Sequence, residues 1–186
     1  MNDTVKTLGP LGALLGTWEG KKGADIAPSD TRGVANSAYR ETMVFEDIGR
    51  VDNHEQILYG MRYRTTAWRV DADNAFHEEV GYWLWDAANK QVMRCFMPPR
   101  GMTIMAGGTC EADATTFEMA AHAGSESYGI CSNLFLLEQF KTVRYELKIT
   151  VHGADSFSYE SDTQLKLKGQ DDIFHHTDAN TLTRVQ

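Results

Sequence analysis

Between Val143 and Leu167 the chain alternates so regularly that few folds can accept it. Val143, Tyr145, Leu147, Ile149 and Val151 fall on one side of an extended chain, with Arg144, Glu146, Lys148 and Thr150 on the other. After a turn at Gly153-Ala154-Asp155, Phe157, Tyr159, Leu165 and Leu167 continue the apolar side against Glu160, Asp162, Gln164 and Lys166. Period two over two consecutive segments describes an antiparallel hairpin with one dry and one wet face. Such a hairpin must lay its dry face on something, and the rest of the chain offers mostly further strands.

Upstream, Tyr39, Glu41, Met43 and Phe45 share a face, and Ile57, Tyr59, Met61 and Tyr63 repeat the pattern after a turn placed between Asp47 and Asn53. Phe76 to Trp85 is a strand whose facing periodicity leaves open, because Val80, Tyr82 and Leu84 compete with His77, Trp83 and Trp85. Gln91 to Met97 and Met102 to Thr109 are strands on either side of a Pro98-Pro99-Arg100-Gly101 turn, the second carrying Gly107-Gly108 where a bulge or a close approach is expected. Thr115 to Ala121 is a short strand, and Cys131 to Phe140 reads as loop or short helix. Lys21 to Ser37 carries Gly, Pro, Asp and Ser at turn density and reads as a long loop. Leu8 to Gly16 reads as a helical turn starting after Pro10 and stopped at Gly16, a plug for one end of a sheet. The first strand begins at Thr17-Trp18-Glu19-Gly20, and the last runs from Ile173 to Val185.

About ten strands at short spacing with no βαβ rhythm predict an all-β protein. A sheet of that size curls shut or splits, and closure is the expectation here: an antiparallel up-and-down β-barrel of about ten strands with a short N-terminal helical plug. The first and last strands are expected to pair, since each would otherwise leave a bare edge. At 186 residues the chain fits a single domain, 1–186, with residues 1–10 a loose N-terminal segment. A barrel of this size can hold one small ligand in its interior.

The net charge of −8 and the lack of a long basic run argue against nucleic acid or an anionic membrane surface as partner. Cys95, Cys110 and Cys131 form no C-x-x-C pair and are odd in number, so they read as reduced thiols of a cytoplasmic protein. Met1-Asn2-Asp3-Thr4 has no basic region leading into an apolar core, and no apolar stretch is long enough to cross a membrane as a helix. The sequence leaves monomer and homodimer both open.

Several chemistries are excluded by spacing. His77-Glu78-Glu79-Val80-Gly81 lacks the second histidine of a zinc-protease motif, having Gly81 in its place. Gly107-Gly108 lacks the spacing of a dinucleotide loop, and no G-x-S-x-G elbow occurs. His175-His176 on the last strand stand out, because adjacent residues of a strand face opposite ways and one imidazole must point inward. An inward histidine there is a hydrogen-bonded core imidazole or a ligand; with Asp178, and Glu41 or His77 from neighbouring strands, it could hold a divalent metal.

Leu15-Gly16-Thr17-Trp18-Glu19-Gly20 with Lys21-Lys22-Gly23, then Tyr39-Arg40-Glu41, His77-Glu78-Glu79-Val80-Gly81-Tyr82 and the terminal His175-His176-Thr177-Asp178, taken in order, resemble the nitrobindin-type haem-binding β-barrels, fold relatives of the fatty-acid-binding proteins and lipocalins. The resemblance runs from about Leu11 to Val185, and Lys22 stands where the family's opening G-x-W-x-G-x-G motif has its last glycine. It implies haem b held through one histidine of the last strand, with nitric oxide or peroxynitrite reacting on the open face, and so a peroxynitrite isomerase activity. Counting back from Val185 without gaps puts the ligand position at Thr177, with His175 on the same face. A one-residue bulge within Thr177 to Asn180 would bring His176 inward, and His176 is the favoured ligand with His175 the alternative. Trp18, from the opening motif, joins His176, His175 and Thr177 as a cofactor-site candidate. The alternative function is a non-catalytic, lipocalin-like carrier of a small apolar molecule.

Overall fold

A computed structural model describes residues 7–185. The expected looseness of residues 1–10 lies outside these residues for 1–6, whereas 7–10 already lead into the plug. Among the described residues the chain forms β1 (Gly16–Pro28), β2 (Val34–Asn53), β3 (Gln56–Arg69), β4 (Ala75–Asp86), β5 (Gln91–Met97), β6 (Met102–Thr109), β7 (Thr116–Ala123), β8 (Gly129–Ser132), β9 (Phe140–Gly153), β10 (Ser156–Leu167) and β11 (Ile173–Arg184), with one short helix, α1 (Leu134–Gln139). They close into a barrel in the order β1-β11-β10-β9-β7-β8-β6-β5-β4-β3-β2. Every pairing is antiparallel except the two-residue contact of β7 with β8. The first and last strands do pair, Trp18 opposite Arg184 and Ile26 opposite Thr177.

Three segments differ from the sequence reading, each for a reason. The long loop expected over 21–37 is mostly sheet: β1 continues to Pro28 and only residues 29–33 turn. A bulge between Gly20 and Ala24 resets the alternation, after which Gly23 and Asp25 face inward. A pattern search that counts apolar residues does not see a strand whose inward residues are Gly and Asp. Gly23 is held to hydrogen because the Tyr39 ring lies over it, where any Cβ would collide. The turn expected at 47–53 is a bulge within β2, between Asp47 and Gly49, and the hairpin turns instead at His54-Glu55. Residues 129–132, which overlap the start of the loop or short helix expected from Cys131, form β8 against β6, and α1 follows it, capped by the Asn133 side chain accepting from the Leu136 N–H at 2.9 Å. At Gly107-Gly108 the close approach is real: Tyr128 lies over the first and the Glu118 carbonyl against the second.

One end of the barrel is shut. Residues Gly9–Leu14, with Pro10 near their start, make a 3-10 turn whose Leu11 and Leu14 are fully buried. The turn's unpaired carbonyls are met by the closing strand and its neighbour. The Trp18 indole donates to Leu14 O at 2.7 Å, and Arg184 donates to Ala13 O at 3.0 Å and to Leu15 O while its guanidinium lies 4.1 Å over the Trp18 ring. Above the plug, Trp18, Phe45, Tyr63, Trp83 and Phe157 form an edge-to-face aromatic cluster with centroids 4.8 to 6.3 Å apart.

The three cysteines are free, with Cys95 and Cys110 half-buried and Cys131 exposed. Burial raises the Cys95 and Cys110 pKa values, which keeps those thiols protonated and slow. Thiol titration of the native protein should therefore report Cys131 first, and denaturing, non-reducing titration should find all three. A denatured count of one would mean a disulfide.

Candidate functional site

The unplugged end is where inward-facing polar residues collect, and they form three linked groups. The first joins β1, β2, β3 and β11. Asp25, only 3 % exposed, accepts from Arg69 Nη1 at 2.8 Å and from Ser37 Oγ at 2.9 Å through Oδ2, while Oδ1 stands 3.1 Å from His176 Nε2. Asp178 Oδ2 lies 3.5 Å from the same nitrogen. The second runs from β4 into the core: His77 Nε2 stands 3.1 Å from Glu79 Oε1, and Glu79 Oε2 accepts from Tyr63 at 2.8 Å and from the buried Arg94. Arg94 also donates to the hydroxyls of Tyr63 and Tyr145. The third surrounds Glu41, whose Oε1 accepts from Tyr159 at 2.9 Å and Asn180 at 2.7 Å, with Tyr39 and Tyr159 hydroxyls 2.6 Å apart.

These surroundings separate the four carboxylates into two kinds. Burial alone would raise Asp25, but hydrogen bonds from His176, Arg69 and Ser37 outweigh it and hold the group at about 2. Burial likewise opposes ionisation of Glu79, yet Arg94, His77 and Tyr63 bring it to about 2. For Glu41 burial dominates and pushes it up to about 7, against the hydrogen bonds of Asn180 and Tyr159. Asp178 rises to about 6 through burial and the nearby Asp25 and Glu79 charges, although the two histidines pull it down. The mouth therefore holds two fixed anions and two groups able to take or release a proton near neutrality.

A carboxyl whose pKa is higher folded than unfolded binds its proton more tightly in the folded protein, so its contribution is full below the unfolded value and lost as pH rises through the folded one. For Glu41 that window runs from 4.5 to about 7, and for Asp178 from 3.8 to about 6. Asp25 and Glu79 act oppositely, losing their contribution as pH falls from 3.8 and 4.5 toward about 2. Stability should thus peak at about pH 4 to 5 and decline toward about pH 8. Glu41→Gln should flatten that decline by about 3 kcal/mol, the scale of a shift of this size. Thermal melts of both proteins across the range check it; equal slopes would mean Glu41 titrates normally.

The four sequence candidates separate in space. His176 faces inward, half-buried, at the open end. It does so without the bulge expected in β11, because β10 and β11 stay in one register from Ser156–Thr183 to Lys166–Ile173; the irregularity is in β1 instead. His175 faces outward, its Nδ1 2.7 Å from Asp162 on the outer wall. Thr177 alternates with His176 and lies on the outer wall, beside Ile26 and Asp162 in the ladder. Trp18 belongs to the plugged end: its partner Arg184 lies eight residues along β11 from His176, about 26 Å at ~3.3 Å per strand residue. It therefore packs the core and has no place beside His176.

Beside the mouth, β4 is paired to β5 only from Val80 onward, so its earlier half leaves the wall open on that side. A cleft of about 550 Å³ fills this gap, lined by Glu79, Val80, Met97, Pro98, Met102 and Cys131 among others. That is an ordinary size for a small-molecule site. Asp25, Glu79, Arg94, Tyr159 and Asn180 were not read as site residues from the sequence. Arg94 did carry a signal, since it sits between Val92 and Phe96 on what must be one face of β5.

A closed barrel, plugged at one end and opening at the other onto inward histidines and carboxylates, defines a small-ligand-binding β-barrel. The chain belongs to the THAP4-like, heme-binding beta-barrel domain family, the nitrobindin-like barrels, whose model matches residues 7–184. Among solved structures it is similar to Rv2717c from M. tuberculosis, with a TM-score of 0.67 and 21% identity over 100% of this chain and 99% of that one. At that identity the likeness speaks for the fold. No curated protein matches the chain significantly. Among the described residues no helix is long and apolar enough to cross a membrane.

The donor set can be tested against the haem of this family. An axial imidazole offers one ring nitrogen to iron while its other nitrogen is commonly fixed by a carboxylate or a carbonyl. His176 has that fixing group in the buried Asp25, and its Nδ1 has no hydrogen-bond partner among the described residues. Of the sequence candidates, His176 is the inward imidazole that could serve as such a donor, with Nε2 facing Asp25 and Nδ1 the other ring nitrogen.

Proposed function

We propose that the open end of the barrel binds haem b with His176 as the axial ligand and Asp25 as the carboxylate that orients it. The observation that carries this reading is the inward His176, held at 3.1 Å by a carboxylate that is itself anchored by Arg69 and Ser37. The bound haem would supply an iron with an open coordination position at which nitric oxide or peroxynitrite reacts. The chain's own part is to hold the imidazole, keep Asp25 ionised, and offer Asp178 and Glu41 as groups that exchange protons near neutral pH.

The carrier reading is less well served by the interior. A long apolar ligand entering the barrel would meet Glu41, Glu79 and Arg94, an ionic and hydrogen-bonded lining in place of the apolar wall such a ligand needs. Protein reconstituted with haem should show a Soret band that His176→Ala abolishes and His175→Ala leaves largely intact. If His175→Ala removes the band instead, the ligand is misassigned. If the parent takes up no haem yet binds a fluorescent fatty-acid analogue, the carrier reading replaces this one.

A further inference from the structure

Halfway down the barrel, Trp83 on β4 and Arg94 on β5 are direct cross-strand partners on the inner face. Both are buried, at 3 % and 7 % exposure. Each has a polar N–H with no partner among the described residues: the indole Nε1 of Trp83 and the guanidinium Nε of Arg94. Native interiors seldom leave one such group unpaired, and two on neighbouring side chains call for a cause. A third donor joins them. Tyr145 accepts from Arg94, and its own O–H has no acceptor among the described residues.

The acceptors at this level are already engaged. Glu79 Oε1 faces His77, Glu79 Oε2 takes both Tyr63 and Arg94, and the Tyr63 and Tyr145 oxygens take Arg94. The imbalance among the described residues is one-sided, a surplus of donors, so whatever completes the group must bring acceptor atoms. An ammonium, which only donates, would add to the surplus. There is also small packing beside the group: the next inward residues from Arg94 toward Tyr145 are Ala106 and Ala121, each contributing a methyl. The Arg94 guanidinium lies 4.0 Å over the Phe96 ring and 5.4 Å over that of Trp83, so its plane is fixed by aromatic faces and its edge is left for hydrogen bonding.

We propose that the barrel interior holds a small planar oxyanion at Trp83, Arg94 and Tyr145, accepting from the indole N–H, the guanidinium Nε–H and the phenol O–H. This site is separate from the haem reading, since it uses neither His176 nor Asp25. Glu79 connects it to the mouth, bonding Arg94 on one oxygen and facing His77 on the other.

Formate is a suitable probe, being small, planar and monovalent. The full-length chain, with and without haem, is titrated with sodium formate against sodium gluconate at constant ionic strength. The four tryptophan indole N–H signals are followed by ¹H–¹⁵N NMR. One signal should move saturably, and Trp83→Phe should be the variant that removes it. Arg94→Lys, which keeps the charge but loses the Nε–H edge, should weaken the apparent affinity at least tenfold. Tyr145→Phe, which removes only the third donor, should weaken it several-fold and serves if the lysine variant does not fold. A Trp83 signal that ignores formate while exchanging magnetisation with a bound water would overturn the proposal, the site then holding water only. Saturable binding that survives both Arg94→Lys and Tyr145→Phe unchanged would overturn it as well.

Discussion

Glu79→Ala should lower stability by about 3 to 5 kcal/mol, the usual cost of stripping one partner from a buried ion pair. Arg94 is buried among Tyr63, Trp83, Phe96 and Tyr145, and Glu79 is the only carboxylate among the described residues that bonds it. Without Glu79 the guanidinium has two phenol oxygens and no protein countercharge in a buried setting. For a chain of this length the melting temperature should fall by roughly 10 °C, given about 2 to 4 °C per kcal/mol. The double variant Glu79→Leu with Arg94→Met should recover most of that loss, because the charge needing compensation goes with its partner. Thermal or urea unfolding of the parent, both single variants and the double gives the coupling. A double variant as unstable as the sum of the singles would show that the pair is not what makes Glu79 matter.

Removing Ile173 to Gln186 should abolish cooperative unfolding altogether. β11 is the strand that shuts the barrel: it pairs along its length with β10 and again with β1. Its loss bares the edges of two strands of 13 and 12 residues and takes the fully buried Leu182 from the core. It also removes Arg184, whose guanidinium caps the plug's carbonyls and covers Trp18, so both the seam and the plugged end lose their support. The expected result is a broad, probe-dependent melt with dye-accessible apolar surface. A truncated chain that still melts sharply near the parent temperature would mean that β1 and β10 close on each other without it.

The class of fold is legible in the chain alone, and period two is what makes it so. Tyr145, Leu147 and Ile149 against Glu146 and Lys148 state a half-dry strand whatever surrounds them, because backbone pleating fixes the facing of successive residues. Pairing of the first and last strands follows from the same pattern, since a sheet of so many strands must hide its edges. The plug is legible for a similar reason, as Pro10 and Gly16 mark a short turn among leucines. Facing fails where the inward residue is not apolar. Gly23, Asp25 and Glu79 all point into the barrel, and a hydrophobic count reads each as an outward or loop residue.

The histidine pair shows the boundary most clearly. Period two guarantees that one of His175 and His176 faces in, but which one depends on the register of β11, and register is a relation between strands. The fold sets it by placing the extra residue in β1, at Lys21 to Gly23, so that β11 runs unbulged with His176 inward. The partners of His176 are equally out of reach of the sequence. Asp25 is 151 positions away in the chain and Arg69 belongs to a third strand, and barrel closure is what brings them to one point. The pKa separation among Asp25, Glu79, Glu41 and Asp178 is likewise a tertiary property, since identical carboxyl groups differ there only in what the fold puts beside them.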